Sequence, residues 1–132
     1  MRQSLNLAVL GIDHGHIFDM LDEMIKEGCN CNHFWTKGSP LTLKEFNQKY
    51  PNIKRVENKS EILENDKIDM ILISSIPKDR ANLSIEALKS GKDVMVDKPG
   101  CTSLDQLDNL KQAVKETGKI WSVNFSERFH VA

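Results

Sequence analysis

The run Gly11-Ile12-Asp13-His14-Gly15-His16 packs an acid, two histidines and two glycines into the residues that follow the apolar stretch 5–10. A glycine turn between a strand and a helix brings backbone N–H groups up to a phosphate, and the helix start adds the positive end of its dipole. Gly11 suits the tight turn. Asp13 and His16 instead fill the places where a dinucleotide-binding turn carries its second and third glycines, and Gly15 is one residue out of phase. A carboxylate aimed at a pyrophosphate would repel it, so either Asp13 turns away, with the start of the following helix as a place to cap, or the phosphates are held differently. Two uses stay open for His14 and His16: donors to a phosphate or substrate, or local packing and capping groups.

A second candidate lies at "VMVDKPG", residues 94–100, where three apolar residues run into an acid, an ammonium and a ring that ends any strand. Asp97 and Lys98 are either solvated turn residues or a pair held at a rim for chemistry. Ser74, Ser75, Ile76 and Arg80 stand in a similar place, just after the apolar run "IDMILISS". Cys29-Asn30-Cys31-Asn32-His33 offers a few soft ligands, but a zinc site needs about four and no second Cys or His pair has suitable spacing. No metal is expected. With Cys101 the cysteine count is odd and lacks the spacing of a disulfide scaffold, so reduced thiols are expected.

These groups have to be positioned by the elements around them. Apolar runs and amphipathic segments alternate along the chain: strands at 5–11, 31–36, 54–56, 68–75, 93–96 and 119–125, with five helical segments between them. Helix faces are expected at Ile17, Leu21, Met24 and Ile25, then at Ala81, Ile85 and Leu88, and finally at Leu104, Leu107, Leu110 and Val114. Thr42–Glu45 and Ser103–Gln106 have the spacing of capping boxes, and Gly28, Gly91 and Gly118 follow helices. The pattern predicts an α/β fold, a doubly wound parallel sheet of about six strands. Ligands of such sheets bind outside the carboxyl ends of the strands, and all the candidate groups fall at those ends.

An acid at the end of the second strand usually grips the ribose 2′-hydroxyl of a dinucleotide. Here no Asp or Glu occurs between Glu27 and Glu45, and the strand end carries Thr36, Lys37 and Ser39. Lys37 with the hydroxyls suits a 2′-phosphate, which leans the cofactor from NAD towards NADP. The formal charge of −1 leaves no footprint for nucleic acid. No apolar run reaches the roughly eighteen residues of a membrane span, and the N-terminal run reads as a strand, so a cytoplasmic location without membrane contact is expected.

"GIDHGHI", "DMILISSIPKDRANLSIEALKSGKDVMVDKPG" and "WSVNFSERF" together resemble the glucose–fructose oxidoreductase and inositol dehydrogenase family (Gfo/Idh/MocA). The likeness covers essentially the whole chain and is most specific at "ALKSGKDVMVDKP", where Asp97 stands for the family's glutamate while Lys98 and Pro99 match. It implies a Rossmann domain over residues 1–124 and, in 125–132, the start of a crossing segment to a second α/β domain. The fragment alone is then expected to bind NAD(P) without turnover. The full protein would pass hydride between nicotinamide and a sugar, cyclitol or similar polyhydroxy substrate.

Lys98 is implied as the catalytic group beside the nicotinamide, with Asp97 orienting or tuning it and Pro99 fixing the turn, with a cis bond open to it. The resemblance also places Ser74, Ser75, Ile76 and Arg80 along the cofactor, with Arg80 where the family has histidine, and Asn124 and Arg128 near the nicotinamide. Near Trp121, Phe125 and Phe129 the lone domain would expose apolar surface and self-associate as a homo-oligomer. The competing reading is a non-catalytic, dinucleotide-sensing or regulatory module of the same fold.

Overall fold

The computed structural model describes residues 4–124. Six strands alternate with five helices: β1 (Asn6–Leu10), α1 (His16–Lys26), β2 (Asn30–Trp35), α2 (Leu43–Lys49), β3 (Lys54–Arg55), α3 (Ser60–Leu63), β4 (Met70–Ile73), α4 (Pro77–Lys89), β5 (Asp93–Asp97), α5 (Leu104–Thr117) and β6 (Trp121–Asn124). All are parallel in the order β3-β2-β1-β4-β5-β6. The expected doubly wound sheet is present, with its order reversing between β1 and β4, where a crevice opens at the carboxyl ends.

Alternation along the central strands builds a core on each face. Ala8, Leu10, Ile71, Ile73, Val94 and Val96 point to the side of α4 and α5 and pack on Ala81, Leu88 and Leu110. Leu7, Val9 and Leu72 point to the other side and meet Ile17, Leu21, Phe34 and Phe46. Because both faces are covered, these strands read as continuous apolar runs rather than alternating ones. Each of the buried Val, Leu, Ile and Phe side chains contributes about 1.5–3 kcal/mol.

Helix faces differ in detail from the expected ones. In α1 the buried residues are Ile17, Met20 and Leu21, while Ile25 is 42% exposed. In α5 Leu110 and Ala113 are buried and Leu104, in the first turn, is 77% exposed. Ala81 and Leu88 of the expected α4 face are buried, and packing against the sheet adds the small residues Ala87 and Ala113, which the expected faces did not include. Gly118 closes α5 in the left-handed conformation, φ 69°.

Of the two capping boxes, the second forms in part: Ser103 Oγ accepts the N–H of Gln106, while Gln106 Oε1 accepts from Thr102 rather than Ser103. The first does not form. Thr42 precedes α2 without a side-chain cap bond, and its hydroxyl donates to the carbonyl of Ile12. That bond ties α2 to the turn after β1.

Candidate active site

Gly11 has φ +89°, and a Cβ there would lie 2.4 Å from Ser75 Cβ and 2.8 Å from Ser75 Cα. Only glycine lets the turn after β1 pass that close to the end of β4. The two are also hydrogen-bonded, since Ser74 N donates to Gly11 O at 3.0 Å and His14 N donates to Ser74 O at 3.0 Å. On the other side Gly11 N donates to Trp35 O, and Ile12 N donates to Thr36 Oγ1 at 3.3 Å. Thr36 is buried and its hydroxyl is engaged with the turn, while Ile12 is wholly in the core. Both residues support the turn from beneath.

Asp13 does not cap α1. Gly15 takes the N-cap position, without a side-chain bond. The carboxyl is steered instead towards the start of α4. Burial pushes its pKa above the ordinary value, partly offset by its own N–H and that of Ile76, with Asp79 nearby raising it and Arg80 lowering it. The carboxyl thus has its partners at the β4–α4 loop and not at α1.

Asp97, the last residue of β5, is 1% exposed and joins several elements. Its Oδ1 lies 3.0 Å from His16 Nδ1, and its Oδ2 lies 3.3 Å from Ser74 Oγ, 3.4 Å from Arg80 Nη2 and 3.6 Å from His14 Nδ1. The last is beyond hydrogen-bond length. His14 Nδ1 is otherwise engaged, accepting the N–H of His16 at 3.1 Å, which marks that nitrogen as the unprotonated one. Both histidine rings are about half exposed, 53% and 48%. His14, His16 and Asp97, far apart in sequence, therefore meet at one rim. Sequence spacing could not show this, because the two segments are neighbours only through the strand order.

Arg80, in the first turn of α4, is as buried as Asp97. Besides the carboxylate, its guanidinium donates to three carbonyls: Nε to Ser75 at 2.7 Å, and Nη1 to Asp97 at 3.1 Å and Pro99 at 3.2 Å. Burial lowers its pKa while Asp97 and Asp13 act the other way. With its donors facing inward, Arg80 braces the rim from beneath. It fixes the path of the chain on both sides of Lys98. Lys98 itself is exposed, and the Lys98–Pro99 bond is cis. Ile76 is 37% exposed and Ser75 is buried. Asn124 ends β6 in register with Asp97. Arg128, Phe125, Phe129 and the segment 125–132 lie outside the described residues.

At the β2 end a cavity of about 510 Å³ is lined by Trp35, Thr36, Lys37, Gly38, Arg55, Val56 and Glu57. Arg55 was not foreseen as a site residue. Its Nη2 donates to Thr36 O at 3.0 Å and Gly38 O at 2.6 Å, so it shapes the loop that carries Lys37. Its signal in the sequence is faint, one basic residue in a two-residue strand.

This chain offers a dinucleotide the switch point of a parallel sheet, a glycine turn that admits no Cβ, an eleven-residue helix opening beside it and a basic pocket one strand over. That donor set fits the ligand. The fold and rim thus define a dinucleotide-binding domain of Rossmann type. The chain belongs to the Gfo/Idh/MocA family, the oxidoreductase family with an NAD-binding Rossmann fold, whose pattern matches residues 10–125.

The scyllo-inositol 2-dehydrogenase (NAD(+)) of Bacillus subtilis (strain 168) is 36% identical over 76 residues, 58% of this chain and 22% of that protein. An oxidoreductase-like protein of Erwinia carotovora atroseptica SCRI1043 superposes with a TM-score of 0.89 at 32% identity, over 94% of this chain and 37% of that one. Biliverdin reductase of Synechocystis sp. PCC 6803, solved with biliverdin and NADP+, shares the fold at 18% identity and a TM-score of 0.79, over 91% of this chain and 37% of its own. The chain thus spans little more than a third of these structural relatives. Among the described residues no helix is long and apolar enough to cross a membrane.

Proposed function

We propose that this chain is the cofactor-binding half of a dehydrogenase acting on a sugar, cyclitol or similar polyhydroxy compound. The observation that carries the reading is the link between the two ends of the crevice: the β1 turn, through His16, lies 3.0 Å from Asp97, the residue that precedes Lys98. The glycine turn and the lysine therefore share one rim. A nicotinamide dinucleotide, when bound, supplies the redox chemistry. The protein supplies position and proton handling. The ammonium of Lys98 hydrogen-bonds the reacting oxygen of the substrate and holds the proton that moves there. Arg80 keeps Lys98 at the rim by fastening the carbonyls of Asp97 and Pro99, and Asp97 steadies the histidines of the turn.

The polyhydroxy substrate class draws support from the name of the Bacillus relative. Lys37, with no acid at the β2 end, supports a cofactor bearing a 2′-phosphate. Because the chain spans just over a third of its structural relatives, substrate turnover belongs to the whole protein, and this part alone binds cofactor. Calorimetric titration of the chain with NADH and NADPH tests the reading: saturable binding with NADPH the tighter is expected. No heat and no thermal shift with either would overturn it.

A further inference from the structure

We propose that His14, His16 and Asp97 form a binding site for a divalent transition-metal ion of the zinc, cobalt and nickel class. Each offers one ligand atom, and the three atoms lie within 4.8 Å of one another, the one such group among the described residues. With bonds of about 2.0–2.2 Å, neighbouring ligands of a tetrahedral zinc stand about 3.3–3.6 Å apart. His16 Nδ1 lies 3.0 Å from Asp97 Oδ1, a little under that span, and His14 Nδ1 lies 3.6 Å from the carboxylate's other oxygen, Oδ2, so a small turn of the His14 ring brings it towards Oδ1. What remains is to draw the two imidazoles together. Both rings are half exposed and their centroids are already 4.1 Å apart.

The chemistry of the donors suits the ion. Two neutral imidazoles and one carboxylate give a net charge of −1 against a dication, and N,N,O donor sets select zinc and its neighbours over magnesium or calcium. His14 Nδ1 carries no proton, since it accepts the N–H of His16, and it exchanges that bond for the ion, while His16 Nδ1 gives up the proton it shares with Asp97, the ring turning to its Nε2–H tautomer. The carboxylate is held from behind by Ser74 and Arg80 on Oδ2, leaving Oδ1 turned to the imidazole of His16. Such outer partners orient a ligand before metal arrives. Arg80 also places a positive charge behind Asp97, which weakens the affinity relative to an unpaired carboxylate. With both rings half exposed, a fourth position stays open to an oxygen ligand from the crevice.

The site joins two departures from the family pattern, the aspartate in place of glutamate at 97 and the histidines in the glycine turn. The competing cluster around Cys31 is less suited. Burial pushes the Cys31 thiol up to about 12, so it stays protonated and a poor ligand.

The test is calorimetric titration of chelator-treated chain with zinc chloride, and with cobalt(II) followed by its visible absorption. One equivalent is expected to bind, and His14→Ala and His16→Ala are each expected to weaken binding tenfold or more. His33→Ala and Cys31→Ser should leave it unchanged. Circular dichroism shows that the variants fold. Absence of saturable binding, or binding that survives both substitutions in the turn, overturns the site. NADH titration of the same samples separates this inference from the cofactor reading: dinucleotide binding without zinc heat rejects the metal site and leaves the cofactor site standing.

Discussion

Arg80 and Asp97 form an ion pair with both side chains 1% exposed, Nη2 standing 3.4 Å from Oδ2. Breaking a pair so deeply buried leaves a charge without its partner, and removing this arginine also strips donors from the carbonyls of Ser75, Asp97 and Pro99. Arg80→Met is therefore expected to cost about 3–5 kcal/mol, read as a lowered urea midpoint. Arg80→Lys should recover only part of the loss, because one ammonium cannot span what the guanidinium fork spans. A midpoint unchanged in both would show that the pair contributes nothing to the fold.

The two glycines of the first turn should respond in opposite ways. Gly11→Ala forces a Cβ to 2.4 Å from Ser75 at a φ of +89°, so a loss of about 2–4 kcal/mol is expected from overpacking and left-handed strain together. Gly15→Ala meets no atom within 4 Å, and the residue has an ordinary helical φ of −63°. Its stability should hold or rise. Thermal melts of the two variants side by side check the contrast.

Asp13 gives a pH dependence with a definite sign. Its folded pKa is raised by burial, so the native state holds the proton more tightly than the unfolded chain does. The favourable contribution is complete below the ordinary carboxylate value of about 3.9, and is lost as pH rises through the raised folded value. Above that window the half-buried anion weighs against the fold. Asp13→Asn should remove this dependence, leaving the stability-versus-pH curve flatter at its acid end. The same variant should bind NADPH more tightly, because it takes a negative charge away from the phosphate turn.

Lys98→Met is expected to lower kcat of the whole protein about 10²–10⁴-fold, the range for loss of a proton-transfer group. NADPH binding should stay within a few-fold of the parent. Full turnover in that variant would remove Lys98 from the chemistry, whereas joint loss of turnover and binding would mark it as a cofactor-binding residue only.

For Lys37→Ala, the expected outcome is a loss of about tenfold in NADPH affinity with NADH affinity unchanged, the equivalent of about 1.4 kcal/mol for one charged contact. Paired titrations with the two dinucleotides read it directly. Equal effects on both would place Lys37 away from the 2′ position.

The sequence by itself determined the sheet. Strands buried on both faces must read as unbroken apolar runs, and helices covering a sheet must carry one apolar face, so "LAVL", "MILI" and "VMV" and the segments between them were legible as alternating elements. Gly11 was legible too, since a strand running into a tight turn calls for a residue without Cβ, as did the position of Lys98 at a strand end. Which side of a helix packs was less so, because Ala87 and Ala113 carry little hydrophobic signal and win their places by size.

Only the tertiary structure decided who meets whom at the rim. The histidines of the first turn reach Asp97, 81 residues from His16, because β1 is the strand beside β4, and β4 in turn lies beside β5. Arg80 looks like a surface charge in a polar run, yet the approach of α4 to the ends of β4 and β5 buries it and spends its donors on their carbonyls. Thr36 likewise is a loop hydroxyl in sequence and a brace under the glycine turn in space. Local patterns fix elements because each residue's periodicity acts within its own segment; a site is fixed by strand order, which brings together groups whose separation along the chain carries no trace of their contact.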